Sequence, residues 1–90
     1  MKFRKKPVVI EAVQWTGENS EEVLSFALTG PRPLWGDDFG VDTNSGEVCI
    51  STPEGRMTAD PDDWIIRGVE GEFYPCKESI FHKTYEAVKP

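Results

Sequence analysis

The clearest hydrophobic pattern in the chain is the run Val8-Val9-Ile10-Glu11-Ala12-Val13-Gln14-Trp15. It is rich in β-branched residues and apolar on both faces over most of its length, which is typical of a strand covered on both sides. Pro7 marks its start, because proline is accepted at the first residue of a strand but not in its middle. Thr16-Gly17-Glu18 ends it. The pattern therefore predicts a strand over residues 8–15.

A helical pattern follows this strand. Asn19 is the predicted N-cap, and Glu22 three residues later completes the signature of a capping box. Apolar residues then recur at helical spacing, with Phe26 at the margin of the stripe: Val23, Leu24, Ala27 and Leu28. Gly30 is the predicted C-cap residue, and Pro31 and Pro33 prevent the helix from continuing. We expect about two and a half turns lying across one face of a sheet.

The rest of the chain alternates strand patterns with tight turns. Leu34 and Trp35 fit either a short strand or a packed loop. The later predicted strands are 39–43, 47–52, 56–59, 64–67, 72–74 and, last, 85–88. Pro75 indicates that strand 72–74 lies at a sheet edge or ends there, because proline cannot donate to a sheet ladder. Ile80-Phe81 predicts one helical turn.

These elements predict a single α+β domain over residues 1–90. One strand and one helix precede an antiparallel meander, which favours a strongly bent antiparallel sheet or a small, partly open barrel packed against one helix. A chain of this size hides about 60–65% of its unfolded surface on folding, enough for one modest core. Because such a domain is only marginally stable, we expect additional stability from homo-oligomerisation.

Charge is unevenly distributed. The net charge is −6 and the isoelectric point about 4.7, and such acidity argues against direct binding of DNA or RNA, whose partners carry a basic footprint. Four of the ten basic residues nevertheless lie in the first six positions: Lys2, Arg4, Lys5 and Lys6. This basic edge on an acidic body is either a solvated terminus or a site for a phosphate.

The sequence contains no membrane or export signal. No segment approaches the about 20 apolar residues of a membrane span. The apolar run near the start is short, and no small-residue cleavage site follows it. We therefore expect no membrane partner and a cytoplasmic location. Cys49 and Cys76 form no C-x-x-C pair, which predicts free thiols in a reducing compartment.

Catalytic and metal-binding motifs are not found. The single histidine, His82, lies outside any nucleophile motif such as G-x-S-x-G. Together with Cys49 and Cys76 it does not have zinc-site spacing. The acidic run at residues 60–63 lacks the regular ligand spacing of a calcium loop and is typical of a turn. We therefore predict a protein that is not an enzyme, with no catalytic residues, no metal and no cofactor.

Binding is the chemistry that the sequence favours. Aromatic side chains fill cores first, but they also provide stacking platforms and interface anchors. Tyr74 alternates with Phe73, so one of the two faces outward. Arg67 shares a face with Ile65 and can point at solvent or a ligand. A basic N-terminal strand near an aromatic sheet face suits a small phosphorylated ligand with a ring to stack. The predicted ligand-binding residues are Arg4, Lys5, Lys6, Trp64, Arg67 and Tyr74.

Two blocks of sequence resemble a family of small proteins encoded by tailed bacteriophages and prophages. The blocks contain RKKPVVIEAVQWTG near the start and WIIRGVEGEFYPCK at residues 64–77, the latter followed by Ile80-Phe81 and Thr84-Tyr85-Glu86. Together they cover about half of the chain. Relatives usually have Pro-Gly-Asp where this chain has Pro61-Asp62-Asp63, and the aspartate argues against a required positive φ in this turn. Relatives also often have a proline where this chain has Glu78-Ser79.

The resemblance implies an origin and assigns no functional residue. It implies action in the bacterial host cytoplasm, where small accessory phage proteins often bind a host molecule stoichiometrically. The leading hypothesis is a counter-defence protein that sequesters a nucleotide-like immune signal as a homo-oligomer. Two alternatives stay open: an acidic protein–protein inhibitor or DNA mimic that targets a host protein, and a minor virion or assembly component.

Overall fold

Two antiparallel sheets of three strands each form the frame of the protein, and two α-helices pack around them. The computed structural model describes residues 1–4 and 7–88. The strands are β1 (Glu11–Gln14), β2 (Phe39–Asp42), β3 (Glu47–Thr52), β4 (Gly55–Ala59), β5 (Trp64–Arg67) and β6 (Phe73–Cys76). The helices are α1 (Ser20–Ala27) and α2 (Glu78–Thr84), with a short 3-10 helix at Gly36–Asp38.

The predicted α+β class is confirmed, with the strands divided between two sheets that do not close into a barrel. The first sheet has the order β1-β5-β6 and the second the order β2-β3-β4. β6 is an edge strand, as Pro75 predicted. The strand nevertheless continues through this residue, which pairs with Ile65.

The register of the first sheet separates two kinds of side chain. Opposed residues in antiparallel strands point to the same side of the sheet, and successive residues point to opposite sides. Ile65 therefore shares the inner face with Arg67, while Trp64 and Ile66 lie on the outer face. Tyr74, opposite Ile66, lies on the outer face as well. Phe73 is buried on the inner face at 1% exposure, so Tyr74 is the member of this pair that faces outward, as the alternation predicted.

The main core lies between the inner face of the first sheet, the second sheet and α1. Its buried members come from nearly every element: Trp15, Val23, Ala27, Phe39, Val48, Ile50, Ala59, Ile65 and Phe73. Val48 and Ile50 lie together on the core face of β3, which confirms the predicted alternation. Ile66 is equally buried but faces outward from the sheet, so the outer face must be covered by other residues.

The first and last predicted strands differ from the structure. β1 begins at Glu11 rather than at residue 8, because Glu11 pairs with Arg67, the last residue of β5, and the chain then turns at Gly68. Residues 8–10 pair with no strand among the residues that the structure describes. The prediction of a strand at 85–88 is wrong, because these residues pair with no strand of the described chain and instead follow the outer face of the first sheet beyond α2.

The ends of α1 use different contacts from those predicted. Asn19 is the N-cap residue, but its side chain makes no capping hydrogen bond to the helix. Its Oδ1 instead accepts from the backbone N–H of Thr16 at 2.8 Å, and its Nδ2 donates to Glu22 Oε1 at 2.6 Å. The two capping-box residues therefore meet side chain to side chain. The C-cap residue is Leu28 and not Gly30, which takes a positive φ of 85° two residues later.

The turn before β5 requires a left-handed residue, contrary to the sequence-based expectation. Asp62 has a φ of 80° and is the one non-glycine residue with positive φ in the described part of the chain. Its backbone N–H donates to the carbonyl of Trp15, and its carbonyl accepts from Gln14 Nε2 at 3.0 Å. These bonds hold the turn against β1. Aspartate occupies this conformation at a steric cost that glycine does not have.

Replacing Asp62 with glycine is therefore expected to raise the free energy of unfolding by about 0.5–1 kcal/mol, because the relief of the left-handed strain exceeds the extra entropy of an unfolded glycine. Asp62→Ala should lower it, since alanine tolerates positive φ less well than aspartate does. Urea unfolding of the two variants beside the wild type measures both changes. A glycine variant less stable than the wild type would contradict the assignment of strain.

Within the described residues, neither helix has the length and apolar character needed to cross a membrane.

Candidate functional site

An apolar groove of about 480 Å³ opens on the outer face of the first sheet. Ala12 and Trp64 contribute to it from the sheet itself. Residues 8–10, which run beyond the end of β5, and residues 85–88, which follow α2, line it together with Phe81 and His82. We call this cavity the aromatic groove. Residues 8–10 and 85–88, which lie near the two ends of the chain, thus line the same cavity.

Stacked aromatic rings hold α2 against the sheet. The ring of Phe81 lies parallel to the indole of Trp64, with centroids 4.2 Å apart and planes 5° apart. The imidazole of His82 meets the indole of Trp64 edge-on, with ring centroids 6.0 Å apart, and the ring centroids of Tyr85 and Phe81 are 5.2 Å apart. Phe81 and Tyr85 are four residues apart, the spacing that places two side chains on one helix face. Each such ring pair contributes about 0.5–1.5 kcal/mol beyond its buried area.

Trp64 carries an unused hydrogen-bond donor. Its indole Nε1 is buried and has no partner, and it is the one such side-chain atom among residues 1–4 and 7–88. By contrast, Nε1 of Trp15 donates to the carbonyl of Gly46 at 2.9 Å. A buried donor left without an acceptor costs about 1–3 kcal/mol. Trp64, a residue of the groove lining, therefore carries a buried polar group that a hydrogen-bond acceptor would satisfy.

Arg67 lies on the opposite face of the sheet from the aromatic groove. Its guanidinium pairs with Glu11 at 2.7 Å and also donates to the hydroxyl of Thr29. It lies 5.2 Å from the ring centroid of Phe26, within the range of a cation–π contact. The side chain is only 14% exposed. These internal contacts join β5, β1 and the end of α1, so the structure does not bring Arg67 to Trp64.

Tyr74 shares the outer face with Trp64, but it lines a different cavity. This second cavity, of about 390 Å³, lies between β6 and the turn that joins β3 to β4. Burial raises the pKa of the Tyr74 phenol well above its ordinary value, and the neighbouring hydroxyl of Tyr85 raises this pKa further. Since Tyr85 also packs on Phe81, it connects Tyr74 to the aromatic groove.

The raised pKa of Tyr74 predicts a late step in alkaline titration. An unfolded tyrosine ionises near pH 10, whereas the folded phenol stays protonated there, so the free energy of unfolding falls as the pH rises above about 10. Near-ultraviolet absorbance should show a tyrosine that ionises late, and Tyr74→Phe should abolish this late step. Persistence of the late step in that variant would contradict the raised pKa of the Tyr74 phenol.

The basic N-terminal residues lie before the groove in the chain. Arg4 is exposed, and the chain reaches the groove wall at Val8 four residues later. Lys5 and Lys6, also predicted to bind a ligand, lie outside the described residues. Of the six predicted residues, the structure therefore places Trp64 in the groove, Tyr74 beside it and Arg67 behind the sheet.

A buried carboxylate supports the strand that carries Trp64. Asp63 is 6% exposed, and its Oδ2 accepts from the backbone N–H of Asp60 at 2.9 Å and from Lys77 Nζ at 2.8 Å. The hydrogen bonds to Asp63 and Asp60 raise the pKa of Lys77. Burial, followed by the charge of Asp63, raises the pKa of the Cys76 thiol. The acidic turn before β5 thus binds Lys77, the residue that follows β6.

Sequence reasoning missed most of the groove lining. Phe81, His82 and Tyr85 were assigned to a short helical turn and a strand, although the spacing of Phe81 and Tyr85 was a signal for a shared helix face. Cys49 and Cys76 are free thiols, as expected. Among the residues that the structure describes, no group of three or more histidine, cysteine, aspartate or glutamate side chains is arranged to hold a metal ion.

The fold and the groove together define a small α+β domain with an aromatic cavity on one sheet face. Comparisons with protein-family models, with curated protein sequences and with solved structures found no match for this chain.

Proposed function

We propose that this protein acts by stoichiometric binding of a small nucleotide-like ligand whose flat ring enters the aromatic groove. The observation that carries the proposal is the groove itself, because its volume of about 480 Å³ lies within the range of about 300–1,000 Å³ typical of ligand pockets. Stacking of a nucleobase on an aromatic side chain contributes about 1–3 kcal/mol and tolerates different bases. Phe81 and Tyr85 supply ring surface beside Trp64.

The phosphate contacts in this proposal come from the N-terminus. Arg4 is exposed, and Lys2, Lys5 and Lys6 are its neighbours in sequence. Hydrogen bonds between such cations and phosphate oxygens are about twice as strong as neutral ones. Val8, which lines the groove, follows these residues in the sequence, so the phosphate subsite of this proposal adjoins the ring subsite. Arg67 has no part in this version of the site, because Glu11 and Thr29 already occupy its guanidinium.

The proposed role is a counter-defence protein of phage origin that sequesters a nucleotide immune signal in the host cytoplasm. The resemblance of residues 1–17 and 64–77 to small phage proteins supports this biological setting. We further propose that the protein binds as a homo-oligomer. Sequestration needs no turnover, so the ligand should be released chemically unchanged.

Native mass spectrometry of the full chain tests the proposal. The protein is mixed with a panel of cyclic and ADP-ribose-type nucleotides, and we expect a discrete mass of one ligand per site that is recovered unaltered after denaturation. The same spectra give the oligomeric state. A protein that binds none of the panel, or that returns a ligand of changed mass, contradicts stoichiometric sequestration.

A charge variant tests the phosphate subsite separately. The triple replacement of Arg4, Lys5 and Lys6 by alanine should weaken nucleotide binding at least about tenfold, because several charge-assisted contacts are lost. Arg56→Ala is the matched control, since Arg56 is an exposed cation on β4 of the other sheet. Equal loss of affinity in both variants would indicate a nonspecific charge effect and would exclude the N-terminal subsite.

A further inference from the structure

The three tryptophans have three different indole environments. The N–H of Trp15 is paired with the carbonyl of Gly46. Trp35 is 66% exposed and therefore in contact with water. The N–H of Trp64 is buried without a partner in the described part of the chain, and Trp64 is the one of the three that lines the aromatic groove. Native structures seldom leave a buried donor unpaired, so an unpaired one needs an explanation.

Resting on the proposed function, we infer that the indole N–H of Trp64 is the specificity donor of the groove. The ligand ring must then carry a hydrogen-bond acceptor, a carbonyl oxygen or an unprotonated ring nitrogen, as purine and pyrimidine bases do. Trp64 has two roles in this site: its ring contributes apolar surface, and its N–H selects heteroaromatic rings over hydrocarbon rings of the same size.

Access to this donor requires a small movement of α2, the helix that lies over Trp64. The indole nitrogen has no contact with solvent, and α2 covers Trp64 through the ring of Phe81, which lies parallel to the indole at 4.2 Å. No residue of α2 is fully buried, and the partly buried ring of Phe81 is its main contact with the sheet. Elements with few buried contacts open at low free-energy cost. Movement of α2 away from the sheet can therefore let the acceptor of an entering ring reach the N–H.

The expected selectivity follows from leaving the donor unpaired. A ring without an acceptor displaces α2 but leaves the N–H without a partner. Its affinity should therefore be lower than that of a nucleobase by about tenfold to a hundredfold. The matched probes are adenosine monophosphate and guanosine monophosphate on one side and 1-naphthyl phosphate on the other. All three carry a flat bicyclic ring and a phosphate, but the naphthyl ring has no acceptor.

The test uses the full chain labelled with nitrogen-15 and observed through its indole N–H signals by NMR. Trp64→Phe identifies the Trp64 signal by its disappearance. We expect this signal to move downfield on saturation with either nucleotide and not with 1-naphthyl phosphate. The Trp15 and Trp35 signals should stay nearly unchanged and act as internal controls. Trp64→Phe should bind the nucleotides and 1-naphthyl phosphate with similar affinity.

The outcomes separate this inference from the proposed function. If the nucleotides bind but the Trp64 signal does not move downfield and 1-naphthyl phosphate binds equally well, the donor role is overturned and ring binding in the groove stands. If none of the probes binds, the donor role is overturned, while the proposed function is decided separately by the nucleotide panel in native mass spectrometry. Because the comparison of probe affinities uses the wild-type chain and needs no assignment of the Trp64 signal, it remains decisive even if Trp64→Phe fails to fold.

Discussion

Replacing Trp15 with alanine is expected to lower the free energy of unfolding by about 3–5 kcal/mol, the usual cost of deleting a buried tryptophan. Trp15 is 1% exposed and is among the largest fully buried side chains. It follows β1 of the first sheet, while its Nε1 donates at 2.9 Å to Gly46 in the turn between β2 and β3 of the second sheet. The substitution therefore removes core volume and, at the same time, the hydrogen bond that joins Trp15 to the second sheet.

Such a loss is a large part of the about 5–15 kcal/mol that holds a typical domain folded. Urea unfolding, followed by circular dichroism, should show a much lower midpoint or a largely unfolded chain. Trp35→Ala is the matched control, because Trp35 is 66% exposed and its removal should change stability by less than about 0.5 kcal/mol. Equal effects of the two alanine variants would show that Trp15 does not join the sheets as described.

Replacing Gly71 with alanine is expected to lower the free energy of unfolding by about 2–4 kcal/mol. Gly71 is buried in the turn between β5 and β6 and has a φ of 89°, a conformation in which a side chain is strained. A Cβ at this position would lie 2.5 Å from Cγ of Pro31. The proline ring is rigid and follows α1, so it cannot move aside without shifting the end of the helix.

Gly46→Ala separates the two contributions to this effect. Gly46 has a similar φ of 77°, but the nearest atom to its added Cβ is Cγ of Pro61 at 4.0 Å, an ordinary contact distance. Its alanine variant should therefore show only the backbone strain of about 1–2 kcal/mol. The difference between the two variants in urea unfolding measures the clash with Pro31. If the variants are equally stable, the turn does not pack against the residues after α1.

The groove shows where sequence reasoning about the site reached its limit. Trp64 was identified because an aromatic residue beside an acidic turn is a local feature. Arg67 was predicted in the same site because strand alternation gives the face of a residue but not its contacts. In the structure, its guanidinium pairs with Glu11 and donates to the hydroxyl of Thr29 on the other face of the sheet. Those partners are 56 and 38 positions away in the chain, and no local pattern specifies such contacts.

The groove lining contributed by Phe81 and by residues 8–10 and 85–88 was missed because it too depends on contacts between residues distant in the chain. Phe81 stacks on Trp64 across a separation of 17 residues, and residues 8–10 and 85–88, from opposite ends of the chain, line the same cavity. A β-branched run such as residues 8–10 has strand propensity in isolation. It forms no strand here because β5, the strand that pairs with β1, ends at Arg67 opposite Glu11.

The amino-acid sequence by itself determined the features that depend on neighbours in the chain. Alternation of side chains and the turn residues on either side specified β3 and β5 at their observed bounds, and the proline pair stopped α1 close to its predicted end. The tertiary structure alone decided the division into two sheets, the left-handed conformation of Asp62 and the side chains that line the groove. These features depend on which distant backbone and side-chain groups become partners, and that choice is made only when the whole chain packs.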